Sequence, residues 1–174
     1  LKLLGIDNNY ELSQLDLTGM KQLRDLSCEG NSLTSLNLSD CRNLVTLVCN
    51  NNQLSVLDVS GLDKLEVLTC FSNDLSSLNL TGCISLKSLD CSVNPKLSKA
   101  DLPRSLTSLN CSSCSFSQIE TAKLPLLTNL TCDGNQIGTL DLSAQTKLTA
   151  INCSNNKIKQ LDFSNCVNLL DVVI

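Results

Sequence analysis

The amino-acid sequence predicts a β-dominated solenoid, with short parallel strands stacked one per repeat around a thin, continuous core. Three observations predict it. Residues 65–85, LEVLTCFSNDLSSLNLTGCIS, set a pattern L-x-x-L-x-C-x-x-N-x-L-x-x-L-x-L closed by a Ser/Thr/Gly-rich turn. That pattern recurs in units 1–22, 23–43, 44–64, 65–85, 86–105, 106–126, 127–147 and 148–168, with a partial unit at 169–174. A fixed period of this size marks a stack in which each unit touches only its neighbours. Second, Leu26-Ser27-Cys28, Leu47-Val48-Cys49 and Leu68-Thr69-Cys70 alternate apolar and variable residues, which is the signal of a strand with one buried face. Third, hydrophobic residues make up 42% of the chain but aromatics only 2%, so the core must be narrow and filled by Leu, Ile, Val and Cys.

The elements follow in order. Unit 1–22 is in register through Leu1, Leu4, Ile6 and Asn9, then carries one extra residue before Leu12, Leu15 and Leu17. Units 23–43, 44–64 and 65–85 are regular, and each opens on a strand that should pair in parallel with the next at about 4.8 Å. The second half of each unit repeats the spacing, as in Leu33-x-x-Leu36-Asn37-Leu38 and Leu54-x-x-Leu57-Asp58-Val59. Too few residues remain before the next unit for an ordinary helix. The second face is therefore expected to be extended or turn-like with short 3₁₀ pieces, and the solenoid flatter than one with outer helices. Unit 86–105 is irregular, with an insertion at Asn94-Pro95-Lys96 and a shortened closing turn at Leu102-Pro103-Arg104-Ser105, and Pro125 closes the next unit. Proline cannot donate to a ladder, so a break in the second-face sheet is expected around 95–105 and 122–126, without a domain boundary. The chain reads as one domain, 1–174. It ends on Leu169-Leu170-Asp171-Val172-Val173-Ile174, a strand with nothing stacked on it. With no polar cap at either end, the expectation is a fragment of a longer protein, with end-to-end self-association open to it.

This pattern, L-x-x-L-x-C-x-x-N-x-L followed by L-x-x-L-D-L-S, resembles the leucine-rich repeat family. It looks most like the bacterial 21-residue subclass with nested halves, sometimes called IRREKO repeats. The match covers the whole chain and departs at the 95–105 irregularity and at Cys114, which replaces Asn, itself a permitted variant of the family pattern. The resemblance implies a solenoid of the α/β-horseshoe class with its sheet on the concave side. It also implies a bacterial recognition scaffold for proteins or glycans, extracellular or on the cell surface.

Composition narrows the chemistry. The net charge is −4 and the 13 Lys and Arg form no run, so a nucleic-acid partner is not expected. No stretch approaches about 18 consecutive apolar residues, so no membrane insertion is expected either. Seven cysteines (Cys28, Cys49, Cys70, Cys91, Cys111, Cys132 and Cys153) share one repeat position with Ile6 and Ile174. A site that accepts Cys or Ile is an apolar core site, so these read as free buried thiols. Cys111-Ser112-Ser113-Cys114 is a C-x-x-C by count but occupies two successive core positions; redox chemistry or a local disulfide is the weaker alternative. With no histidine, no Ser-His or Cys-His pair can activate a nucleophile, and no phosphate-binding Gly loop appears; neither an enzyme nor a cofactor is expected.

Asn9, Asn31, Asn52, Asn73, Asn94, Asn135 and Asn156 should stack into an internal ladder whose amides satisfy turn backbone in their own and adjacent units. Asp16, Asn37, Asp58, Asn79, Asp101, Glu120, Asp141 and Asp162 should point outward. Short Asx hydrogen bonds to the following turn would explain why Asp and Asn interchange there. A Ca²⁺ held by the 101–162 carboxylates is the alternative, disfavoured because a flat row does not surround an ion.

What remains for function is the open face of the first-half strands, which is mostly small and polar. Phe71 is the exception, since Phe116 and Phe163 replace core leucines. Phe71 is expected to project from this face with Val67, Val48 and Val93, inside a polar rim that includes Asp25, Glu29, Asp74 and Asp90. An aromatic anchor in a polar rim is the composition of a protein-binding hot spot. The leading expectation is thus a non-catalytic module binding a protein partner, host-derived among the candidates. A glycan ligand is the first alternative, though only Phe71 and Tyr10 could stack on a sugar. A structural spacer in a larger surface protein is the second.

Overall fold

In the computed structural model, which describes residues 1–174, the opening alternation of each repeat becomes a three-residue strand. Nine such strands form one parallel sheet: β1 (Leu3–Gly5), β2 (Asp25–Ser27), β3 (Thr46–Val48), β5 (Val67–Thr69), β7 (Ser88–Asp90), β8 (Ser108–Asn110), β9 (Asn129–Thr131), β10 (Ala150–Asn152) and β11 (Asp171–Val173). Register advances by one repeat per strand, with Leu26 beside Leu47 and Leu47 beside Leu68. There is no α-helix; a single 3₁₀ turn spans Thr121–Lys123.

The second face is extended and turn-like with one 3₁₀ piece, as expected, but its sheet is shorter than expected. A sheet there was predicted to break around 95–105 and 122–126, but the ladder exists only between β4 (Val56–Asp58) and β6 (Ser77–Asn79). Elsewhere the second halves run extended without strand pairing. The 3₁₀ turn, just before Pro125, closes the regular-length unit that follows the shortened turn at 102–105.

One cluster of 43 buried residues runs the length of the stack. The unit at 65–85 shows its construction: Leu65, Leu68, Cys70, Leu75, Leu78, Leu80 and Cys83 are buried, the alternate residues are not. Burial of a leucine contributes roughly 1.5–3 kcal/mol, so a handful per turn holds each coil to the next. All eleven cysteines are buried and free. Cys41, Cys83 and Cys166 form a second column in the closing turns, where Leu62, Leu124 and Gln145 alternate with them. The Cys83 thiol donates to the Val59 carbonyl at 3.1 Å, and Gln145 Nε2 makes the equivalent bond to Thr121 O at 2.8 Å.

The asparagine ladder is formed as expected. Asn73 Nδ2 donates to the carbonyls of Cys49 (3.0 Å), Cys70 (3.1 Å) and Phe71 (3.3 Å), while its Oδ1 accepts the Leu54 N–H at 3.0 Å. One amide thus closes its own turn and clamps the preceding one. At Cys114 the thiol still reaches the Cys91 carbonyl at 3.3 Å, but it offers no amide oxygen to Leu97 N–H. Leu97 instead closes on Asn94 O at 2.9 Å, using the extra residue of Pro95-Lys96; Leu12 does the same with Asn9 O at 2.7 Å in the first unit, which has an extra residue at the same place.

The outward Asp/Asn column also behaves as read. Thr18, Ser39, Ser60, Thr81, Ser143 and Ser164 donate their N–H to the carboxylate or amide two residues earlier. Hydrogen bonds from Thr18, Ser60, Ser143 and Ser164 hold Asp16, Asp58, Asp141 and Asp162 below the usual carboxylate range. Asp101 and Glu120 lack this cap because their turns are the shortened one and the 3₁₀ one; Glu120 pairs with Lys123 at 2.6 Å.

Two outcomes follow for stability. Asn73→Ala strands the buried Leu54 N–H, while the carbonyls of Cys49, Cys70 and Phe71 keep Asn52, Asn94 and the Asn51 N–H as donors. It is expected to remove about 2 kcal/mol, measured as a drop in the urea midpoint. Burial pushes the thiols up, Cys28 and Cys132 to about 12 and Cys83 and Cys114 to about 11, from an ordinary 9.0. The unfolded chain therefore loses these protons first as pH rises. Stability from this source is full below pH 9.0 and falls as pH climbs through the folded values near 11 to 12. A thiol reagent at neutral pH should label the native protein barely and the denatured protein at close to eleven sites; rapid native labelling would contradict the buried ladder.

Candidate binding face

Because the side chains at 26 and 28, 47 and 49, or 68 and 70 turn inward, those between and after them line the open face of the nine-stranded sheet. Register sets Val48, Thr69 and Asp90 side by side on β3, β5 and β7, and Thr46, Val67 and Ser88 one step earlier. Phe71 follows Thr69 along the same strand direction. Its N–H donates to Asn50 Oδ1 at 3.2 Å, fixing the backbone beneath the ring. Phe71, Val67 and Val48 are half-buried, so Phe71 lies against the face more than it projects from it, and Val93 is 47% exposed. Thr69 Oγ1, in the middle of this group, is buried without a hydrogen-bond partner.

Val93 has a feature that sequence reading missed. One residue per turn adopts a left-handed backbone: Asn8, Gly30, Asn51, Ser72, Val93, Ser113, Gly134 and Asn155. Asn and Gly tolerate this conformation, but a β-branched residue at φ 53° is an outlier. The Asn/Gly/Ser composition of that column was the available signal.

Next to the apolar group begins a hydrogen-bonded polar strip, also unforeseen. Asp90 Oδ1 accepts the N–H and Oγ of Ser92 (3.0 and 2.6 Å), and Asn110 Nδ2 donates to Asp90 Oδ2 at 3.0 Å. Asn110 Oδ1 in turn accepts Ser112 N–H and Oγ, and Ser112 Oγ also lies 2.8 Å from Asp133 Oδ1. Asn152 Nδ2 donates to Asp133, and Ser154 caps Asn152. Its sequence signature is the triplet Asx-Cys-Ser at 90–92, 110–112 and 152–154.

The acidic candidates divide. Asp25 and Glu29 are half-buried on the face, and Glu29 Oε1 accepts from Asn51 Nδ2 at 3.2 Å. Asp90 joins the polar strip. Asp74 lies past the ladder asparagine and is ion-paired with Lys96 at 2.7 Å, so its charge is already answered. The sheet face is open rather than pocketed. A notch of about 350 Å³ lies on the other side, between Ala100 and Leu102 and the segment Phe116 to Lys123. No three His, Cys, Asp or Glu side chains converge as a metal site.

Neither a protein-family model nor a curated protein matches the chain. Solved structures do. The functional domain of InlJ from Listeria monocytogenes, which includes a cysteine ladder, is 28% identical over 99% of this chain and 48% of that one, with a TM-score of 0.53. The internalin InlF from Listeria monocytogenes str. 4b F2365 is 20% identical over 99% and 60%, with a TM-score of 0.73. YopM, a leucine-rich effector protein from Yersinia pestis, is 23% identical over 95% and 52%, with a TM-score of 0.74. The fold is therefore that of a leucine-rich repeat solenoid, and the chain spans about half the length of the structures it matches.

Replacing the strained valine tests the left-handed column. Val93→Asn supplies a residue used at the same position by Asn51 and Asn155, and is expected to raise stability by about 1 kcal/mol in chemical denaturation. A loss of stability would show that Val93 packs in a way its exposure does not reveal.

Proposed function

We propose that the chain is a non-catalytic recognition module that binds a protein partner through the open face of the sheet, with Phe71 as anchor. The observation that carries this is the apolar group Phe71, Val67, Val48 and Val93, placed centrally on a face whose other large apolar residues, Leu3 and Val173, lie on the terminal strands, with a β-branched residue in a strained conformation where Asn or Gly would relax it. Strain retained at an exposed position fits a site kept for contact rather than stability. Asp25, Glu29 and Asp90 form the rim, and Asp74 borders it through its pair with Lys96.

The polar strip supports a protein over a sugar. Its Ser hydroxyls and Asn amides already bond to one another. Groups satisfied internally lose little when water is excluded, and offer few free donors to sugar hydroxyls. For setting, the nested 21-residue repeat and the likeness to Listeria internalins and a Yersinia effector support a bacterial surface or secreted protein.

The test is capture from host and bacterial-surface extracts beside a glycan array, followed by titration of the identified, purified protein. Phe71→Ala with Val48→Ser is expected to weaken binding at least about tenfold while the protein stays folded. Unchanged binding by the folded double variant would overturn the site. Glycan signal without a protein partner would favour the carbohydrate reading, and silence in both would favour a spacer.

A further inference from the structure

The open face is charged with one sign along the margin where its strands end. In the two rows that follow the central core leucine, from Gly5 to Val173 and from Asp7 to Ser154, the charged residues are Asp7, Glu29, Asp90 and Asp133, with no Lys or Arg. The chain as a whole carries 13 bases against 17 acids, so the bases have been placed elsewhere. Lys2, Arg24 and Lys87 lie at the opposite margin, before the strands begin, and Lys87 is paired with Glu66 at 2.8 Å. The other ion pairs use Asp74 and Glu120, so none of the four carboxylates on the strip is neutralised within the molecule.

They are nonetheless held. Ser27 Oγ and Glu29 N–H donate to Asp7 Oδ1, and Asn152 Nδ2 donates to Asp133 Oδ1, with Ser112 Oγ, which Asp133 shares with Asn110, 2.8 Å away. These donors are neutral, so they orient the carboxylate without cancelling its charge. Asp90 Oδ2 receives only Asn110 and keeps a lone pair free. Asp90 stands one strand from Thr69, whose hydroxyl is buried and unpaired, and Phe71 follows Thr69. A carboxylate beside an aromatic ring is the pairing that receives a guanidinium or ammonium group.

We infer that the partner docked on this face presents a basic, extended segment whose Arg or Lys settles between Phe71 and Asp90, with apolar residues on either side of it; this rests on the docking face proposed above. Charge complementarity selects the basic segment and Val48, Val67 and Val93 select its apolar flanks. From β2 to β9 the stack advances five strand spacings, about 24 Å, so the segment crossing it is about seven extended residues long.

Selection of a phage-displayed library of random peptides on the full chain tests this. Recovered peptides are expected to carry Arg or Lys next to an aliphatic or aromatic residue. Their synthetic forms should lose about fivefold or more in affinity on Asp90→Asn, and again between about 50 and 300 mM salt. Phe71→Ala should weaken them likewise, whereas Asp141→Asn with Asp162→Asn, on the other face, should leave them unchanged. Peptides that depend on Phe71 but carry no net positive charge would overturn the basic segment and leave the docking face standing. Peptides indifferent to both Phe71→Ala and Asp90→Asn, or none recovered, would overturn both.

Discussion

The fold depends on one buried amide per turn. A solenoid this thin cannot hide its turns from its own core, so the carbonyls at the end of each strand need donors from inside. Asn73 meets that need for Cys70 and Phe71 while reaching back to Cys49 and Leu54. Apolar burial makes coils attract, but it does not fix how far one coil slides on the next. The backbone ladder and the amide fix it together, because the amide's four bonds are made only at the register in which the strands pair. Everything on the open face inherits that register, including the alignment of Val48, Thr69 and Asp90.

The two faces of each turn use their polar residues differently. On the outer face, Asp16, Asp58, Asp141 and Asp162 bond within their own turn, to the residue two positions on. On the sheet face, Asp90, Asn110, Asp133 and Asn152 are linked from one turn to the next. The first arrangement shapes a local corner and would be the same in any unit. The second exists only where suitable neighbours follow one another, which gives the open face a particular pattern: acids at the β1 and β2 end, an apolar centre, and a continuous polar strip from β7 to β10.

Much of this was legible in the sequence, and for a definite reason. A period of 21 residues with strict leucine spacing leaves few ways to bury the apolar positions, so the sheet, the Asn ladder and the buried thiols follow from pattern alone. The limits of the second-face sheet did not, because strand pairing there turns on small differences in spacing between coils that residue types do not encode. The left-handed column was written in Asn8, Gly30, Asn51 and Gly134, yet Val93 concealed it. On the open face, Phe71 and its valines could be placed by register. The bonds that tie Asp90 to Ser154 needed side-chain positions, and the Asp74–Lys96 pair joins residues 22 apart across a lengthened loop.

The exchange of Asn for Cys at position 114 has a mechanical meaning. The hydrogen bonds between coils run along the stack, so tension applied end to end loads the interfaces in series, and the weakest gives way first. Between units 86–105 and 106–126 the amide clamp is reduced to one thiol contact, and the second face there is held apart by a notch. Among the interfaces between full units this one has the lightest ladder contact, so it leans on the bonds from Thr107, Asn110 and Ser115 to Lys87, Asp90 and Pro95. The polar strip carries load where the ladder is thinnest.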